Sequence, residues 1–237
     1  MPPSQSQRPF SAILTARRDA GADLTLVTLT PSGDHAHAYR APGQYIQVRA
    51  AENGYFVLAG EIGAPSWELL VRMNGGASDA LLRSPEGTAF EVAGPLGSGF
   101  PLERACGRHL IVAVAGSALA VTRPILRDRV ARREGASTTV YVGARSPNEV
   151  ALATEVAGWV DAGARVVLCL SRPQGGDGGA LKNVACRRGY VQRIMSEDIA
   201  SGAVTSGLVF AAGPGGMLEE LKGLATTAGS LEVITNV

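Results

Sequence analysis

The stretch from Leu110 to Arg132 narrows the possible folds more than any other part of the sequence. It opens on Leu110-Ile111-Val112-Ala113-Val114, an apolar run too short for a helix of its own and rich in β-branched residues. The chain then passes through the small residues Ala115-Gly116-Ser117-Ala118 into a segment with apolar residues at helical spacing and an arginine-rich end. Strand, tight turn and helix in that order form the opening unit of a parallel α/β domain. A turn of this kind aims free backbone N–H groups and the positive end of a helix at one point, where a phosphate can bind. Downstream the strand–helix rhythm repeats; upstream it is absent. The boundary is therefore expected just before this unit, with a first domain over residues 1–103 and a second over 104–237.

Ahead of that boundary the chain reads as strands separated by turns. Phe10 to Arg17 and Leu24 to Thr30 form two, the second alternating leucines with threonines as a half-buried strand does. Ser32-Gly33-Asp34-His35 is a turn, and Ala41-Pro42-Gly43 leads into an alternating strand that runs to Arg49. Tyr55 to Ala59 and Trp67 to Arg72 add two more, and Gly75-Gly76-Ala77-Ser78 is a glycine turn feeding a short helical piece, Asp79 to Leu82. Thr88 to Ala93 is a further strand, ended by Gly94-Pro95-Leu96-Gly97. Short strands with regular turns predict a small antiparallel β-barrel.

After the boundary, Thr138 to Val142, Arg165 to Leu170, Leu208 to Ala212 and Leu231 to Thr235 join the opening strand. Between them lie helices over Pro147 to Asp161, Gly189 to Ala200 and Gly216 to Thr227, the first with proline in its first turn. The run from Ser171 through Gly175-Gly176-Asp177-Gly178-Gly179 is flexible by composition. The pattern predicts an α/β, doubly wound, five-stranded parallel sheet, with right-handed crossovers bringing its strand ends to one edge.

Composition excludes several roles. The 237 residues are 46% apolar and 18% charged, and a net charge of +1 gives no electrostatic basis for binding nucleic acid or an acidic membrane. No apolar run approaches a membrane span, and the opening MPPSQSQRPF lacks the apolar centre of a signal peptide, so a cytoplasmic location is expected. Cys106, Cys169 and Cys186 lack the spacing of a zinc or iron–sulfur site, and no metal is expected. Cys169 reads as a small core residue, and His35, His37 and His109 as solvated or structural side chains.

Short motifs stand in a telling order along this framework. Pro42-Gly43-Gln44-Tyr45 opens a strand, Gly75-x-x-Ser78 forms a turn, and Gly94-Pro95-Leu96-Gly97 closes the barrel. Tyr141-Val142-Gly143-Ala144-Arg145 ends a strand, Gly189-Tyr190-Val191 starts a helix, and Gly213-Pro214-Gly215-Gly216-Met217 follows a strand. Each is weak alone; in register they resemble the ferredoxin–NADP reductase superfamily, from about Phe10 to the C-terminus. These are flavoenzymes with a flavin-binding barrel followed by a nicotinamide-binding α/β domain.

The resemblance implies a site. Phe56, Val57 and Leu58 would lie at the flavin, and Gly75, Gly76, Ala77 and Ser78 at its pyrophosphate. Gly116 and Ser117 would bind the nicotinamide dinucleotide, and Gly213, Pro214 and Met217 would lie near the nicotinamide. Arg145 belongs to the matching strand end, and Ser171 and Arg172 fall where the adenosine ribose or its phosphate is recognised. Arginine there suits NADPH, while Ser-Arg-Pro is compatible with NADH. No side-chain acid or base is obligatory, because the flavin carries the electrons.

Departures from the family pattern are equally specific. The flavin motif R-x-Y-S/T sets arginine on the pyrophosphate, tyrosine on the isoalloxazine and a hydroxyl near its reactive nitrogen. Here it reads Gly54-Tyr55-Phe56-Val57 and keeps only the aromatic. A charge-assisted hydrogen bond is worth about 1.5–3 kcal/mol, or roughly one to two decades in affinity. FAD binding is therefore expected to be weakened, with Ser78 and its turn still able to hold phosphate. The nicotinamide loop G-G-T-G-I-A-P reads Ala115–Val121, and the cysteine of C-G-P is Ala212.

Two functions follow. One is an FAD-dependent NAD(P)H reductase passing electrons to a separate acceptor protein, with FMN an alternative flavin. The other is a non-catalytic member of the fold, a binding or regulatory partner subunit whose cofactor motifs have decayed. A flavin-free short-chain dehydrogenase is excluded, since no tyrosine is followed four positions later by lysine.

Overall fold

Alternating apolar residues over the first hundred positions can bury one face by curling a sheet over itself. The computed structural model describes residues 8–173, 179–228 and 230–236. They divide into two compact units, one reaching Phe100 and the other running Pro101–Thr235. In the first, β1 (Phe10–Gly21), β2 (Leu24–Pro31), β3 (Tyr45–Val48), β4 (Gly54–Val57), β5 (Trp67–Arg72) and β6 (Ala89–Leu96) form one sheet in the order β4-β3-β6-β1-β2-β5. Every pairing is antiparallel. The Leu58–Leu69 bridge and an Ala59 N–H donated to the Glu68 carbonyl join the two ends of that order into a barrel. Leu14, Val27, Leu29, Ile46, Leu58, Trp67, Leu69 and Val92 fill its interior.

Two of the sequence motifs meet elsewhere in this sheet. Gln44 donates from Nε2 to the Gly97 carbonyl at 3.0 Å, while its Oε1 accepts the Arg40 and Ala41 N–H groups. The Pro-Gly-Gln-Tyr and Gly-Pro-Leu-Gly segments thus pin each other at the mouth of the β3–β6 pair. Helix α1 (Gly76–Arg83) crosses between β5 and β6 in sequence and buries Ala77, Ser78 and Leu81.

The second unit is a doubly wound parallel sheet of β7 (Leu110–Ala115), β8 (Thr138–Ala144), β9 (Arg165–Leu170), β10 (Ala185–Arg188), β11 (Gly207–Ala212) and β12 (Leu231–Thr235). Its order is β10-β9-β8-β7-β11-β12, with all pairs parallel. Near-continuous burial along β7 and β11 requires helices on both faces. Those helices are α2 (Thr122–Ala131), α3 (Ala153–Asp161), α4 (Val191–Ala200) and α5 (Gly215–Ala228). Ile111, Ala113, Tyr141, Val167 and Val209 pack with Ile194, Met195, Met217 and Leu221 of α4 and α5.

Among the described residues the sheet has six strands, where the sequence pattern predicts five. The added strand, Ala185–Arg188, is short, mostly exposed and ends on two arginines, so no apolar pattern marks it. A second correction concerns Gly116 and Ser117. The segment Gly116–Val121 is a 3-10 helix, and α2 starts only at Thr122. Pro124 explains this, because it has no N–H to donate and fits only the first turn of an α-helix. Likewise Pro147 to Asp161 is not one helix. A 3-10 turn covers Pro147–Glu149, Leu152 takes a left-handed φ of +54°, and α3 follows. Burial of Val150, Ala151 and Leu152 overrides helix propensity there. The glycine-rich run at 174–178 lies outside the described residues.

Two buried charge clusters hold the second unit together. The Arg129 guanidinium, 1% exposed, donates to Thr138 Oγ1 at 2.9 Å and to the carbonyls of Ala105, Arg108 and Ser137 at 2.8, 2.9 and 3.1 Å. It also pairs with Glu134. One side chain of α2 thereby ties the segment before β7 to the start of β8. In the second cluster, Asp198 of α4 accepts from Tyr141 Oη at 2.6 Å and Arg165 at 3.0 Å, and pairs with Arg187. Burial alone would raise the Asp198 carboxyl; the hydrogen bonds from Tyr141, Arg187 and Arg165 outweigh it and hold the group below the usual carboxylate range.

Candidate functional site

Parallel strands joined by right-handed crossovers present their carboxyl ends along a single edge. In the second unit that edge collects most of the predicted residues. Gly116 and Ser117 follow β7, Arg145 follows β8, Ser171 and Arg172 follow β9, and Gly213 and Pro214 follow β11. The register fixes their proximity: Val114 faces Ala212, Ala115 faces Gly143, and Ala144 faces Leu170. Beyond the strands the backbone remains zipped, with the Arg172 N–H donated to the Arg145 carbonyl at 2.7 Å. Gly116, Ser117, Arg145, Arg172 and Pro214 are exposed, whereas Ser171 and Gly213 are half-buried.

The structure adds Arg188 to this edge. It ends β10 opposite Leu170 and is exposed. Arg187 turns to Asp198 and Glu197 on α4, so its neighbour Arg188 stands on the other face of the pleat. Arg145, Arg172 and Arg188 therefore cap three adjacent strands at one edge. Arg145 has a loose partner, Glu149 at 3.9 Å, and keeps 68% of its side chain exposed. Such an edge attracts anions, and the signal for it in sequence was the Arg187-Arg188 pair.

Gly213 and Met217 are related by packing. Gly213 has φ of +153°, and a Cβ built there would lie 2.7 Å from the Met217 methyl and 3.4 Å from the Ala115 amide nitrogen. Met217 is 6% exposed and belongs to the core beneath the turn. It supports the backbone at Gly213 rather than facing solvent.

In the first unit the glycine turn is spent largely on itself. Gly75 and Gly76 take φ of +92° and +53°, which only glycine adopts without strain and which carries the chain into α1. Ser78 is 3% exposed, and its hydroxyl lies 2.5 Å from Asn74 Oδ1 and 2.6 Å from the Gly75 carbonyl, while accepting the Asn74 N–H at 3.1 Å. That hydroxyl is not directed outward. The Gly75 N–H goes to the Asp79 carboxylate at 2.8 Å, and the Ala77 N–H to the Glu52 carbonyl at 3.1 Å. Glu52 also leans on the turn, with Oε2 3.4 Å from where a Gly76 Cβ would stand. Among the described residues, only the Gly76 and Ser78 amides of this turn lack an acceptor.

Strand β4 completes the arrangement. A Cβ on Gly54 would lie 2.7 Å from the Phe56 ring and 2.9 Å from the Ala77 methyl. The aromatic ring thus occupies the space that a longer side chain at position 54 would need. Phe56 and Val57 are half-buried, and Leu58 lies wholly in the barrel core. An aromatic surface beside a turn bearing two carboxylates fits an uncharged ring system. It offers few donors to the diphosphate of a dinucleotide: the nearby Arg83, 70% exposed, pairs loosely with Asp79 at 3.5 Å and touches Met73 Sδ.

No family model matches the chain. A curated protein described as fruit protein pKIWI502, from Actinidia deliciosa, is 26% identical over 243 residues, covering 93% of this chain and 73% of that one. Among solved structures, the cytochrome P450 reductase GcoB of Amycolatopsis matches with a TM-score of 0.78 and 21% identity, over 97% of this chain and 70% of the other. A ferredoxin NADP+ reductase from Neisseria gonorrhoeae, with bound FAD and NADP, gives 0.74 at 13% identity over 97% and 99%. The flavohem-like FAD/NAD-binding domain of a Vibrio cholerae nitric oxide dioxygenase gives 0.71 at 18% identity over 95% and 98%. The chain therefore has the fold of the ferredoxin–NADP reductase superfamily. Among the described residues, no helix is long and apolar enough to cross a membrane.

Proposed function

We propose that this chain is a flavin-dependent NAD(P)H oxidoreductase of the ferredoxin-reductase type, delivering electrons to a separate acceptor. The observation that carries the reading is the sheet edge where Gly116–Ser117, Arg145, Ser171–Arg172 and Gly213–Pro214 come together. Nothing lies within 4 Å of where a Gly116 Cβ would stand, which leaves room for a dinucleotide to approach, and the arginines supply counter-charge. Three arginines on adjacent strand ends favour the phosphorylated nucleotide, NADPH, over NADH. Phe56 offers an aromatic surface to a flavin ring. A bound flavin would supply the two-electron chemistry; the side chains named here hold and orient. A cytoplasmic location is part of the same reading.

Steady-state oxidation of NADPH and NADH, each with free flavin present, tests it. The reading requires catalysed flavin reduction with NADPH preferred, and Arg172→Ala is expected to raise KM for NADPH about tenfold while leaving NADH little changed. Absence of catalysed reduction with either nucleotide sinks it. A second reading, a non-catalytic binding or regulatory subunit, is favoured by one observation: the carboxylates of Glu52 and Asp79 on the turn where a flavin diphosphate would sit.

A further inference from the structure

We infer that the barrel selects flavins by their ring and does not read the diphosphate, so that flavin is an exchangeable substrate here rather than a resident FAD. The inference rests on the oxidoreductase reading and names the electron acceptor within it. Its basis is the turn between β5 and α1. A diphosphate carries about two negative charges at neutral pH and needs N–H donors or cations to replace its water.

At this turn the Gly75 N–H is capped by the Asp79 carboxylate and the Ala77 N–H by the Glu52 carbonyl. The Ser78 hydroxyl is folded inward onto Asn74 and Gly75. The Glu52 carboxylate lies against Gly76, one of the two residues whose amides remain. A phosphate approaching those amides meets the Glu52 carboxylate and, beside it, Asp79, whose charge is only partly offset by Arg83 at 3.5 Å. Position 54 cannot contribute a cation, because it is glycine and the Phe56 ring fills the space above it against Ala77. Arg83 is one helical turn away and already pairs with Asp79.

What the barrel offers instead is Phe56, half-buried and apolar, which recognises any flavin alike. With an exchangeable flavin the redox balance closes without a further protein. One NAD(P)H and one proton are consumed per flavin; the hydride leaves the nicotinamide as NAD(P)+ forms, and the two-electron-reduced flavin dissociates with the electrons.

Equilibrium titrations of the full chain with riboflavin and with FAD, read by quenching of flavin fluorescence, decide the matter. The two dissociation constants are expected to agree within about tenfold. FAD binding more than tenfold tighter than riboflavin overturns the inference while leaving the oxidoreductase reading intact. Failure of both flavins to bind instead overturns that reading. The double variant Glu52→Gln, Asp79→Asn supplies the independent check. Amide oxygens preserve the cap on Gly75 but remove both charges, so FAD is expected to bind about tenfold tighter and riboflavin unchanged. An unchanged FAD affinity in a folded double variant would refute the electrostatic cause.

Discussion

Arg129 gives the sharpest test of how the second unit is built. Its guanidinium is buried, and its donors are committed to three carbonyls, the Thr138 hydroxyl and the Glu134 carboxylate. Arg129→Met keeps most of the stem's volume and removes every donor. The carbonyls of Ala105, Arg108 and Ser137 then lose a charged partner, and Glu134, only 21% exposed, loses its counter-ion. Breaking a buried pair from one side costs about 3–5 kcal/mol. A unit running Pro101–Thr235 has an unfolding entropy that converts this to a fall in Tm of about 10–18 °C. Differential scanning calorimetry reads it directly, and Arg129→Lys, with fewer donors in a different geometry, should fall in between. A loss below about 1 kcal/mol for Arg129→Met would show that the cluster is not the clamp described here.

Other consequences follow from the same packing. Asp198 has its carboxyl depressed in the folded chain, so its contribution is complete above the unfolded value of about 4 and is lost as pH falls toward the folded one. Asp198→Asn should lower stability by about 2 kcal/mol at neutral pH and flatten the acid limb of a urea-midpoint profile. His109 is held below its ordinary range by burial and by Arg129 and Arg165. Its contribution is therefore present above about pH 6.5 and declines below it, a slope that His109→Gln should remove. Gly213→Val should cost about 2–4 kcal/mol by urea unfolding, since its Cβ meets Met217 at a φ side chains avoid. Exposed Cys106 and Cys186 should label in the native protein, whereas Cys169, buried and pushed up to about 12, should label only on unfolding.

The fold was largely legible because its signals are local. Trp67–Arg72, Arg165–Leu170 and Leu231–Thr235 carry enough apolar, β-branched character to set their own limits. Strand β10 was not, because an edge strand paired on one side needs no apolar face, and Ala-Cys-Arg-Arg has none. The late start of α2 was encoded in Pro124, a residue whose meaning lies in the missing N–H. The sheet-edge residues could be placed because they follow strands directly. What the sequence did not reveal was what the glycine turn does with its own groups. Ser78 reads as a phosphate ligand until its hydroxyl is seen to face Asn74. Asp79 is a favourable acid in a first helical turn by any local rule, and only the structure shows that its carboxylate takes the Gly75 N–H.

The most direct test of the account is anaerobic: riboflavin is mixed with the full chain, NADPH is added, and the flavin's visible absorbance is followed against a protein-free control. The account predicts bleaching that continues over many equivalents of riboflavin per chain, because the reduced flavin leaves. Bleaching no faster than the control would contradict it and would leave the non-catalytic reading in place.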